Sequence, residues 1–186
     1  MRKLIAAINM TLDGYCDHTA VDPDDEIHDH YSELIRSADD IVYGRITYQL
    51  MEYWPTVIEN PTGVKAIDDF AVTIDNISKT VFSRTLKNLT WRNSRLATQS
   101  VYDEVMRMKM QEGRDILVGS PSLIIETLNL ALVDEFQLCI HPVVAGSGKP
   151  LFKDLRPDCS FRMTDTKKFN RGAILLYYQP FYREEK

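Results

Sequence analysis

Residues 115–124 read Asp-Ile-Leu-Val-Gly-Ser-Pro-Ser-Leu-Ile, and this stretch decides the fold class. Asp115 to Gly119 has the character of a short strand that runs straight into Ser120-Pro121. Serine is a natural helix cap, and proline suits the first helical position, where a missing N–H leaves nothing unpaired. The helix that follows turns Leu123, Ile124, Leu128 and Leu132 inward. A second junction of the same kind stands at Tyr43-Gly44-Arg45-Ile46-Thr47, after the apolar Ile41-Val42. Strands that end in glycine at the start of a helix are the units of an open α/β sheet, in which ligands bind beyond the carboxyl ends of the strands.

The pattern continues on both sides. Leu4 to Ile8 is apolar at consecutive positions, as in a strand covered on both faces. Thr11-Leu12-Asp13-Gly14-Tyr15 follows as a turn. Asp22-Pro23-Asp24-Asp25-Glu26 opens a helix with Asp22 as cap, and Ile27, Tyr31, Leu34, Ile35 and Ala38 form its stripe. A helix over Thr47–Tyr53 is expected to stop before Trp54-Pro55. Another runs from about Val64 through Ile74. Thr80–Ser83 is a strand, Leu89-Thr90-Trp91 a further short one, and Ser100 with Asp103 caps the next helix. Phe136, Leu138 and Ile140 mark a strand before the Ala145–Pro150 loop. Ser160–Phe169 and Ala173–Phe181 form a closing hairpin about Asn170-Arg171-Gly172. The expectation is one domain over 1–186, with a mainly parallel sheet between helices and an antiparallel end.

The whole chain is consistent with this. At 186 residues, 44% of them hydrophobic, it can bury a substantial core. A net charge of −5 argues against a general nucleic-acid or membrane-surface binder, yet leaves room for a local basic pocket. Cys16, Cys139 and Cys159 are far apart and odd in number, so they form no disulfide framework. The apolar run after Met1 is too short for a signal peptide, and none is long enough to span a bilayer. The protein is expected to be soluble and cytoplasmic. His28-Asp29-His30 puts its imidazoles on different helix faces, so no metal site is expected.

Neither glycine junction is a GxGxxG or Walker loop. Both still offer what a phosphate needs: free helix N–H groups and glycine that admits close approach. With Ser83-Arg84 at the end of a third strand, Arg45, Thr47, Ser83 and Arg84 supply hydroxyls and guanidinium forks for a phosphomonoester.

Asn9-Met10-Thr11-Leu12-Asp13-Gly14-Tyr15, Ala38 through Tyr48, Lys79 through Leu86, and Leu132 through Phe152 together resemble the reductase domain of bifunctional riboflavin-biosynthesis deaminase-reductases, the RibD C-terminal type. They are most similar to its stand-alone bacterial, dihydrofolate-reductase-like members. The resemblance implies a dihydrofolate-reductase fold, NADPH as hydride donor and a homodimer, for which the apolar strand near Phe136–Val144 would serve as an exposed edge. Gly44, Arg45, Thr47, Ser83 and Arg84 match the adenosine-phosphate side. Gly119, Ser120, Ser122, Leu123 and Ile124 match the pyrophosphate loop. Ala7 and Ile8 match the strand under the nicotinamide, and Asp13 and Gly14 the loop over the active site. Asp13 is thereby the candidate for orienting or protonating substrate, Tyr15 and Trp54 for stacking on a flat ring, and Lys149 for a substrate phosphate.

Two departures narrow the reading. The family usually has two glycines where this chain has Gly119-Ser120, and folate reduction needs an acid near His28 or Asp29 that is not in register. The resemblance therefore implies reduction of a heterocycle such as 5-amino-6-(5-phosphoribosylamino)uracil. Dihydrofolate reduction and a non-catalytic NADPH-binding module are the alternatives.

Overall fold

The computed structural model describes residues 1–156 and 159–182. β1 (Leu4–Thr11), α1 (Asp25–Arg36), β2 (Ala38–Gly44), α2 (Arg45–Met51), α3 (Trp54–Glu59), α4 (Lys65–Asn76), β3 (Ser78–Phe82) and β4 (Ser94–Leu96) make the first half. The second half holds α5 (Val101–Met110), β5 (Asp115–Val118), α6 (Pro121–Asn129), β6 (Glu135–His141), β7 (Cys159–Lys168) and β8 (Ile174–Tyr182). All strands join one sheet in the order β4-β3-β2-β5-β1-β6-β8-β7. Pairing is parallel from β4 to β6 and antiparallel from β6 through β8 to β7.

β1 shows why the sheet carries helices on both faces. Leu4, Ala6, Ile8 and Met10 point to a core shared with Val105 and Met108 of α5 and with Ile124 and Leu128 of α6. Ile5 points the other way, to Leu34 and Ile35 of α1 and Phe70 and Ile74 of α4. A strand buried on both sides has no room for a polar alternation. The expected three-layer α/β/α fold, with its antiparallel C-terminal hairpin, is the one observed.

Several boundaries differ from the sequence reading, each for a local reason. The cap of α1 is Asp24, whose Oδ1 accepts from the Ile27 N–H at 3.1 Å, not Asp22. Ala38 is no longer on the helix, because the Ser37 hydroxyl donates to Leu34 O at 2.7 Å and the chain turns into β2. The helix before Trp54-Pro55 does stop short of it, at Met51, and Trp54-Pro55 then begins α3, with proline in the first turn where it breaks no bond. Leu89-Thr90-Trp91 is not a strand. The Trp91 N–H is taken by the Tyr48 hydroxyl at 3.0 Å and its indole by Asp75 at 2.7 Å, so the residue is a buried plug, and β4 forms only after it. β6, expected as an exposed edge, lies between β1 and β8. The edge at that end is β7, which carries Arg162, Asp165, Lys167 and Lys168 and is largely exposed.

β4 is held by a buried acid. Glu104 of α5 is fully buried, and its Oε1 accepts from Arg95 of β4 at 2.6 Å and from Arg107 one turn along the helix. No helix among the described residues is long and apolar enough to cross a membrane.

Candidate functional site: the cavity at the strand ends

The carboxyl ends of β1, β2, β3 and β5 open onto one cavity of about 1090 Å³. Ligand pockets usually hold about 300–1,000 Å³, so this one has room for two partners side by side. Ala7 and Ile8 of β1, Leu117 and Val118 of β5, and Gly119 just after β5 line its floor. Gly44, Arg45 and Thr47 enter from the β2–α2 junction, Ser83 and Arg84 from the end of β3, and Pro121, Ser122 and Leu123 from the start of α6. These segments are remote in sequence. The parallel register of β2, β5 and β1 brings their ends to one side.

Ser120 explains how the junctions are coupled. It sits where the resemblance expects a second glycine, yet it is buried, and its hydroxyl accepts from the Gly44 N–H at 2.9 Å. The serine therefore ties the end of β2 to the end of β5 rather than capping α6, which has no side-chain cap. The first-turn N–H groups of α6 are left for a ligand. Gly119 completes the cradle: a Cβ there would lie 3.7 Å from Ala7 O, filling the gap between β5 and β1. Ser120→Ala is expected to lower stability by about 1–2 kcal/mol, because the Gly44 N–H loses its buried acceptor. Thermal unfolding of the variant measures this.

Charge is distributed unevenly around the opening. Arg45 donates to Gln49 Oε1 at 3.1 Å on its own helix. Arg84 makes no hydrogen bond or ion pair with a described residue. The loop beneath it is pinned, since Ser83 Oγ accepts from the N–H groups of Thr85 at 3.2 Å and Leu86 at 2.9 Å. Lys149 lines the opposite rim beside Cys16, whose thiol burial pushes up and keeps protonated. The wall between is apolar and aromatic: Leu50, Met51, Trp54 and Phe70, with Trp54 and Phe70 ring centroids 4.5 Å apart.

Five of the residues singled out by sequence, Gly14 among them, do not line the cavity. Ile124 is buried in the core beneath α6, and Ser120 is the tie just described. Tyr15 packs against Gly148 and pairs with Pro150. Asp13 lies off the lining too, and its carboxylate has another task. It accepts from the Thr11 hydroxyl at 2.6 Å and from the N–H groups of Ala145 at 3.1 Å and Gly146 at 2.7 Å. The Thr11 hydroxyl, foremost, and these amides hold its pKa at about 2 against a burial effect that raises it. A carboxyl in that state has no proton to give near neutrality. Asp13 is a clasp between two loops.

Sequence reasoning did not single out Asn9, His28 or Ser100 as lining residues. Ser100 was legible as the cap of α5, where it accepts from the Asp103 N–H at 3.2 Å, but its place on the cavity depends on β4, which the sequence hid. Among the described residues no group of three or more His, Cys, Asp or Glu could hold a metal ion.

The sequence profile of the RibD C-terminal domain matches residues 2–175. The chain is 34% identical over 185 residues to the uncharacterized protein YyaP of Bacillus subtilis (strain 168), covering 95% of this chain and 94% of that one. A crystal structure of a pyrimidine reductase-like protein from Corynebacterium diphtheriae matches with a TM-score of 0.67 at 16% identity, over 98% of this chain and 93% of the other. Dihydrofolate reductase from Enterococcus faecalis, complexed with NADP(H) and RAB-propyl, matches with a TM-score of 0.63 at 13% identity, over 96% of each chain. These structural likenesses carry the dihydrofolate-reductase-like fold, and the extent of the sequence match shows that the chain belongs to the RibD C-terminal domain family.

Proposed function

We propose that the protein is an NADPH-dependent reductase acting on a small heterocyclic substrate, most like 5-amino-6-(5-phosphoribosylamino)uracil reductase. The observation that carries this reading is the convergence of three strand ends on one cavity. Gly44-Arg45-Thr47, Ser83-Arg84 and Gly119-Ser122-Leu123 bring together glycine gaps, helix N–H groups without a side-chain cap and a guanidinium with no partner among the described residues. This donor set suits an anionic dinucleotide. Arg84, with Arg45 and Thr47, would take the adenosine phosphate. The first turn of α6 would take the pyrophosphate, and Ala7 and Ile8 would lie under the ring. A reduced nicotinamide bound there supplies a hydride. The chain's own part is to orient both partners and to exclude water with Leu50, Met51, Trp54 and Phe70.

The α1 side chains that line the cavity are His28, Tyr31, Leu34 and Ile35, none of them an acid. That favours a substrate other than dihydrofolate. Quenching of tryptophan fluorescence on titration with NADPH tests cofactor binding, since Trp54 lines the cavity. Loss of absorbance at 340 nm with pyrimidine substrates, and not with dihydrofolate, is the expected second result. No quenching overturns the reading, and binding without turnover of any substrate favours a non-catalytic module.

A further inference from the structure

Asn9 lines the cavity from β1, and the end of its side chain that faces inward is already occupied. Its Oδ1 accepts from the Tyr31 hydroxyl at 3.1 Å and from His141 Nε2 at 2.9 Å. Both groups can donate to this oxygen. Burial raises Tyr31 well above the usual phenol range, so it keeps its proton. Burial also lowers His141, leaving a neutral ring; in the tautomer with its proton on Nε2, which also lies 3.7 Å from Cys139 Sγ, that N–H serves Asn9. Two donors on one oxygen fix which end of the amide is which. The NH₂ then remains, a pair of donors with no partner among the described residues, on a half-buried side chain of the cavity lining.

His28 stands one helical turn before Tyr31, on the same face of α1, and lines the same cavity. Its Nδ1 lies 3.0 Å from Asp24 O. A carbonyl can only accept, so Nδ1 carries a proton, and in the neutral imidazole Nε2 then presents a lone pair. Trp54 and Phe70 pack edge-on against the imidazole, with centroids 6.2 and 5.7 Å away, and keep the ring in place. Nε2 has no partner among the described residues.

We infer that Asn9 and His28 form a recognition pair for a lactam edge, a ring carbonyl beside a ring N–H, on a planar heterocycle seated against Trp54 and Phe70. The amide NH₂ meets the carbonyl and the imidazole lone pair meets the ring N–H. An amidine edge, with a donor where the lactam has its carbonyl, would set two donors against each other at Asn9. Tyr31 and His141 act through Asn9 and are positioning residues. This deepens the reductase reading by naming the substrate edge, but it rests on donor and acceptor placement in the cavity rather than on the cofactor.

Two probes on one ring test it: 6-aminouracil, with lactam edges, and 2,4,6-triaminopyrimidine, in which amino groups replace both carbonyls. Calorimetric titration of the full chain, with and without saturating NADPH, is expected to show the uracil binding about tenfold or more tighter, the worth of one well-made hydrogen bond lost and one clash gained. Asn9→Asp keeps the oxygen that Tyr31 and His141 need and replaces the NH₂ by an acceptor. It is expected to weaken 6-aminouracil about tenfold and to reverse the preference between probes. His28→Phe keeps the ring packing and loses the acceptor, and it is expected to weaken 6-aminouracil to a similar degree. Equal affinity of the unmodified protein for both probes overturns the inference, as does unchanged preference in a folded Asn9→Asp variant. If Asn9→Asp does not fold, the comparison of probes on the unmodified protein still decides. Lactam preference without NADPH binding would overturn the reductase reading and leave this inference standing.

Discussion

Arg84→Ala is expected to weaken NADPH binding by about 1.5–3 kcal/mol, roughly ten- to hundredfold, while NADH affinity moves by no more than about twofold. The two cofactors differ only in a phosphomonoester, so a residue that meets that group alone discriminates between them. Three observations motivate this expectation for Arg84. It lines the cavity, its guanidinium has no partner among the described residues, and Ser83 braces the turn that presents it. A guanidinium held ready for a phosphate need not break an existing bond to make the new one, and its fork matches the oxygens in pairs. Parallel fluorescence titrations with NADPH and NADH give the answer. Equal losses for both cofactors would remove Arg84 from the phosphate site and place the discrimination elsewhere, with Arg45 the next residue to test.

The second large effect concerns the acid beneath β4. Removing both guanidiniums, as Arg95→Ala with Arg107→Ala, is expected to cost about 3–5 kcal/mol at pH 7, because Glu104 is then a buried charge without compensation. The pH dependence should change sign as well. In the unmodified protein burial pushes the Glu104 carboxyl up, and Arg107 and Arg95 more than offset this, so the folded value lies below 4.5. A lowered carboxyl adds stability above its unfolded pKa and loses that stability as pH falls through its folded pKa. Without the arginines only burial remains, and the folded pKa lies above the unfolded one. The destabilisation of the double variant should therefore shrink on acidification toward pH 4.5. Urea unfolding at both pH values measures it, and a deficit of the same size at each would show that Glu104 bears no charge penalty.

The layered fold was legible because its signals were local and redundant. Strand, glycine and helix start followed one another at Gly44 and again at Gly119, and each agreed with the hydrophobic spacing around it. What the sequence hid depended on partners distant in the chain. Trp91 looks like a strand residue until Tyr48 and Asp75 are brought to it. β6 looks like an edge until β8 folds back onto it. The cavity followed the same rule. Glycines and arginines at strand ends could be read from their neighbours, and the structure brings most of them to one opening. The clasp made by Asp13 could not be read in advance, because a carboxylate before glycine looks the same whether it serves a substrate or ties down a second loop. Its true partners, Ala145 and Gly146, lie at the other end of the chain. Asn9 could be read only as part of a motif, since its contacts come from Tyr31 and His141.

The place of β1 in the sheet also bears on how the chain matures. Leu4 pairs beside Ile116 and Ala6 beside Phe136, so β1 finds its neighbours only after the chain has grown well past it. Contacts so remote in sequence raise contact order and slow the search for the native state. An emerging chain would hold an apolar β1 without a partner until then, a segment that calls for shielding. The floor made by Ala7 and Gly119 appears only when that search is over. A ligand resting there can recognise nothing earlier, so it should retard unfolding without hastening the refolding of the denatured chain.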